Sequence, residues 1–189
     1  MYKVGGSPGD PSVWKHEVFV IEPHNLKHRN TTLFYLASLS AGSNHDPPID
    51  NVWNIDLFFA DWLAHESEMM TVITFQVPNC PMKFKDDPDK HSRCEDSQIA
   101  WSLKMFLDHP EHDPEYMLIY PMAKASMQIM KAVNDFGSKK GLVDPDCGHV
   151  VFGASKRGWT TWMVGAAGNP EGYPKIQGIL PLVPIVPTL

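Results

Sequence analysis

The sequence has little basic charge, little cysteine and no long apolar run. Lys and Arg number 16 against 22 Asp and Glu, a net charge of −6. Without a basic surplus to neutralise phosphates, the chain does not read as a nucleic-acid binder. The one tight basic cluster, Lys139-Lys140, reads as a solvated loop. No stretch reaches the roughly 18 apolar residues of a membrane span. Met1-Tyr2-Lys3 leads into polar Gly- and Pro-rich sequence without the apolar h-region of a secretory leader. Three cysteines, Cys80, Cys94 and Cys147, are too few and too widely spaced for a zinc site or a disulfide framework. One bridge, Cys80 to Cys94, remains open in an oxidising compartment. His45-Asp46, His65-Glu66, His91, His109 and His112 are scattered, and "HESE" is not H-E-x-x-H, so neither a metal nor a cofactor is expected.

What is present is a folded domain. Hydrophobic residues make up 43% of 189 residues, enough to bury a core in one domain. Residues 1–13 read as a loose terminal segment and residues 14–189 as the domain. Glu17 to Ile21, Thr32 to Leu39, Thr71 to Val77, Val150 to Phe152 and Ile176 to Leu180 read as strands, from β-branched and aromatic runs stopped by Pro or Gly. Ile55, Phe58, Phe59, Trp62 and Leu63 follow helical spacing, and Ile99, Leu103, Phe106 and Leu107 lie on one side of a second helix. Lys124 to Phe136, with Met127, Met130 and Val133 inward, and Trp159 to Ala167 complete the helices. Pro78 to Arg93 reads as a long surface excursion. Strands alternating with helices imply an α/β fold, a mainly parallel sheet with helices on both faces and Val150 to Phe152 central.

Ligands in such sheets bind at the carboxyl ends of strands. There stands "FGASKRGWTTW", Phe152 to Trp162. An apolar strand ends, Gly153-Ala154 are small, Ser155 follows, and a helix begins. A nucleophile elbow needs these parts, and the helix N-terminus then offers N–H groups to developing negative charge. Ser155 would be the nucleophile and the Lys156 N–H an oxyanion donor. The competing reading makes Ser155 an ordinary helix cap, with negative φ. The G-x-S-x-G pattern wants Gly at 157, where this chain has Arg157, its Gly following at 158.

The run Gly153 to Trp162 resembles the signature of the PhoPQ-activated pathogenicity-related protein family, which has bacterial and amoebal members. "WKHEVFVIEP" (Trp14 to Pro23), "VPNCP" (Val77 to Pro81), "EDSQIAW" (Glu95 to Trp101) and "PMAKASMQIM" (Pro121 to Met130) resemble it in the same order. The resemblance implies an α/β-hydrolase-like fold with Ser155 at the elbow. Glucuronoyl esterases are similar locally, with Gly three residues after the nucleophile. In such hydrolases the second oxyanion donor comes from the loop after the third strand, here Gly42 or Ser43, unless that loop is only a flexible turn. The implied function is a serine hydrolase of esterase or peptidase type, its small-molecule or peptide substrate unspecified. The alternative is a secreted, non-catalytic factor that regulates proliferation through a receptor. Secretion rests on the resemblance alone.

All nine His precede Ser155, and Glu171 is the one acid after it. His149 opens the strand that leads to the elbow and should lie at its opposite end. A triad in the usual chain order is therefore incomplete. With the apolar ending "PLVPIVPTL", this points to a chain truncated at its C-terminus, and at its N-terminus as well, inactive by itself.

Overall fold

A computed structural model describes residues 14–37, 54–85, 87–109, 111 and 114–183. The chain forms β1 (Val18–Ile21), β2 (His28–Leu36), α1 (Ile55–Ser67), β3 (Met69–Thr74), β4 (Met82–Lys83), β5 (Ser92–Arg93), α2 (Asp96–Asp108), α3 (Ile119–Lys139), β6 (Gly148–Ala154), α4 (Lys156–Ala167) and β7 (Ile176–Leu182). Five strands make one sheet in the order β1-β3-β2-β6-β7. β1 runs antiparallel to β3, and every other pairing is parallel. The α/β expectation therefore holds at the level of a mostly parallel sheet with helices. β6 is an interior strand, but the middle of the sheet is β2; which strands become neighbours depends on the crossovers, and a local pattern does not carry that.

Alternation along the strands sorts the core into two faces. Phe34, Leu36, Met70, Val72 and Val151 pack with Met127, Met130 and Val133 of α3 and Val164 of α4. The methionine stripe is core, as its spacing implies. On the other face Ala37, Ala60, Ile73 and Phe75 pack together. In α1 the apolar stripe is not the face that packs on the sheet. Ala60 and Ala64 are fully buried, while Ile55, Phe58 and Trp62 are half or more exposed. Small side chains let the helix lie close against β3, which turns the bulky stripe outward. In α2 the buried line is Gln98, Ser102 and Met105, one residue off the apolar line.

α3 begins at Ile119, five residues before Lys124, because Pro121 fits a helix's first turn, where its missing N–H has no intrahelical acceptor. The Pro78 to Arg93 segment is more than a surface excursion. Cys80, Met82 and Asp87 are buried, β4 and β5 form a small hairpin, and Cys80 is bonded to Cys94. No helix among the described residues is long and apolar enough to cross a membrane.

Candidate functional site

The chain leaves β2 for β3 on one side, and leaves β6 for β7 on the other. The topological switch point therefore lies between β2 and β6, and the crevice outside their carboxyl ends is where open α/β sheets take ligands. Leu36 pairs with Gly153 at that end, and Ser155 is the first residue beyond β6.

Ser155 has φ 58° and ψ −125°, and its side chain makes no cap bond to α4. A Ser cap would show negative φ and accept from the first-turn N–H groups, so the geometry is not that of a cap. The turn is held by its backbone. The Ser155 N–H donates to the Leu182 carbonyl at 3.0 Å, and the Ser155 carbonyl accepts from Trp159 at 3.1 Å. Gly153 is required by crowding. A Cβ there would lie 2.8 Å from Arg157 Cβ and 3.0 Å from both the Arg157 carbonyl oxygen and Leu36 Cβ.

Arg157 occupies a crowded place, with its side chain extended to Glu95. Its guanidinium donates from Nη1 to Glu95 Oε2 at 2.5 Å and from Nη2 to Glu95 Oε1 at 2.7 Å. Lys156 Nζ reaches Glu95 Oε2 at 2.6 Å and Asp96 Oδ1 at 2.8 Å. Burial alone would raise the Glu95 carboxyl pKa, but the bonds and charges of Arg157, then Lys156, outweigh it and hold it below the usual range. On the α1 side of the sheet, Tyr35 stacks on Phe152 with centroids 4.8 Å apart and donates to Asp56 Oδ1 at 2.7 Å. Burial and then Asp56 push the Tyr35 phenol well above its ordinary pKa.

Among the other expected site residues, Lys156 opens α4, where first-turn N–H groups lack intrahelical acceptors. Gly42 and Ser43 lie outside the described residues. His149 is fully buried near the start of β6, about 20 Å of strand from Ser155 at ~3.3 Å per residue. It pairs with Thr32 Oγ1, and burial lowers its pKa to about 4. Exposed Glu171 precedes β7, which runs parallel to β6, so it also belongs to the far end of the sheet. From sequence, Glu95 is named only within the run Glu95 to Trp101, and its ion pairs are missed. No local spacing could reveal a partner 62 residues away.

Asp87, Asp89 and His91 bring ligand atoms within 4.8 Å of one another. Asp87 is already paired with Arg93 at 2.9 Å, so a cation occupies that carboxylate. The hollow of about 610 Å³ lined by Tyr120, Met127, Met163 and Tyr173 lies between α3 and α4, away from the strand ends.

The sequence matches the PhoPQ-activated pathogenicity-related protein family over residues 6–188. It is 32% identical over 180 residues to autocrine proliferation repressor protein A of Dictyostelium discoideum, which is 95% of this chain and 34% of that protein. The chain thus spans about a third of that relative's length. No solved structure matches it.

Proposed function

The chain belongs to the PhoPQ-activated pathogenicity-related protein family, and on that footing we propose that it is the nucleophile-bearing part of a serine hydrolase of the α/β-hydrolase class, of esterase or peptidase type. The observation that carries this reading is the backbone of Ser155. A non-glycine residue is held at positive φ, uncapped, between an interior strand and a helix N-terminus at the topological switch point. Such strain persists only where the surroundings impose it, and it clusters at functional sites.

In this reading Ser155 Oγ attacks the carbonyl carbon of an ester or amide while a general base takes its proton. The carbonyl oxygen becomes an oxyanion, received by the Lys156 N–H and by a second donor at Gly42 or Ser43. Collapse expels the alcohol or amine with a proton, and water then releases the acyl group. One such donor is worth about 10² to 10³ in rate. His149 and Glu171 are too remote to serve as that base and its orienting acid.

The test is hydrolysis of a p-nitrophenyl ester panel by the natural polypeptide that carries these residues, beside Ser155→Ala. A rate that depends on Ser155 supports the reading. A folded protein with the same rate in both forms overturns it. A second reading takes its support from the relative's name: a factor that keeps the fold and regulates proliferation through a receptor. Undiminished signalling by Ser155→Ala would favour that role.

A further inference from the structure

We infer that Glu95 is a positioning residue for the Ser155 turn, acting through Arg157 and Lys156; its catalytic half rests on the proposed hydrolase. Two helix starts meet here. Glu95 precedes α2 with φ 54° and ψ −126°, and Ser155 precedes α4 with φ 58° and ψ −125°. Neither side chain caps its own helix. The Glu95 carboxylate instead reaches across to α4 and takes three contacts from the two residues that follow Ser155. Those residues begin the first turn of α4, which carries the candidate oxyanion donor. Holding both side chains on one carboxylate holds their Cα atoms, and with them the direction of the Lys156 N–H.

The carboxylate is itself braced. Its neighbour Cys94 is bonded to Cys80. Buried Gln98 donates to the Asn79 carbonyl at 2.6 Å and to the Arg93 carbonyl at 2.9 Å. Arg93 lies over the Trp101 ring at 4.3 Å. Arg157 and Lys156 side chains are 3% and 11% exposed and Glu95 is 28% exposed, so the pairs on Glu95 are partly withdrawn from solvent. An ion pair withdrawn even partly from water gives little net stability compared with an apolar pair of the same volume. Its use here is geometric: a bidentate fork fixes orientation as well as distance.

Glu95→Gln alone would leave a buried guanidinium poorly paired and could fail to fold. The deciding variant is therefore Glu95→Gln with Arg157→Met in the natural polypeptide, which removes both charges and keeps the volume. Two readouts are taken beside the parent. Amide exchange at Trp159 to Trp162, the first α4 amides with carbonyl acceptors in the helix, should speed by about tenfold or more while the α3 core amides stay protected. On p-nitrophenyl acetate kcat should fall by about tenfold to a hundredfold with KM within about twofold, the signature of a misplaced nucleophile. Glu95→Asp, which keeps the charge, should recover part of the loss. Parental exchange at those amides in the double variant overturns the proposal, whether or not the parent hydrolyses the ester. Faster exchange with parental kcat overturns the catalytic half. A parent without Ser155-dependent turnover, but with faster exchange in the variant, overturns the hydrolase reading and supports the positioning of the turn.

Discussion

α1 and α4 begin in opposite ways. Asn54 precedes α1 in extended backbone, φ −68° and ψ 119°, and its side chain accepts from the Asp56 and Leu57 N–H groups. Ser155 precedes α4 at positive φ and accepts from neither of the corresponding groups. Asn and Ser are about equally good caps, so residue type does not explain the difference. The surroundings do. Gly153 is wedged between Leu36 and Arg157, and the Ser155 N–H is tied to β7. The Asn54 side chain serves the stability of its helix, whereas the Ser155 side chain caps no helix and only its carbonyl joins α4. That contrast is the physical ground for assigning chemistry to Ser155.

The contrast breaks most sharply on activity. In the natural polypeptide Ser155→Ala should lose about a thousandfold or more in kcat/KM on p-nitrophenyl acetate, while Asn54→Ala keeps the parental rate. Residues 1–189 alone are expected to show no enzymatic turnover, because no His follows Ser155; a Ser155-dependent rate in that chain would mean that an upstream His is the base.

Removing the disulfide sharpens the contrast next. Cys80→Ala with Cys94→Ala should cost about 3 kcal/mol for a bridge spanning 14 residues. In native-state exchange the first turns of α2 and α4 should loosen, and that of α1 should not.

pH acts through two buried histidines, His149 near the start of β6 and His16 beside the Phe75 carbonyl. Burial lowers the His149 and His16 pKa values to about 4. Both are neutral in the folded state, so their contribution is complete above the unfolded value near 6.5 and is lost as pH falls toward 4. Each should contribute up to about 3 kcal/mol of that loss. Denaturant midpoints between pH 7 and 4 check this, and the loss should shrink in His149→Gln.

Gly153→Ala should cost about 2 kcal/mol by overpacking against the Leu36 side chain and the Arg157 backbone. The smallest effects differ in sign. Asn54→Ala should destabilise by about 1 kcal/mol, whereas Ser155→Gly should stabilise by about that much, because glycine accepts positive φ without strain. Thermal unfolding of the two variants in parallel reads both.

Much of this was legible in the sequence, because β-branched runs ended by Pro or Gly mark strands, and because Gly-Ala-Ser between strand and helix marks a tight turn. The orientation of α1 was not. Spacing finds an apolar stripe, but Ala60 and Ala64 decide which face approaches β3. The start of α3 at Ile119 was not legible either, since the apolar spacing begins after Pro121, which sits in its first turn. Glu95 was invisible as a site residue, since its contacts join segments far apart in the chain. Arg157 looked like a departure from the elbow pattern, and only the fold supplies the carboxylate that pairs with it.

Fluorophosphonate labelling of the natural polypeptide, with the adduct mapped by peptide mass spectrometry, tests the role of Ser155 most directly. One adduct on the peptide containing Ser155, blocked by prior unfolding, is the expected result. A folded protein that takes no adduct at Ser155, or takes it on another serine, would contradict the assignment.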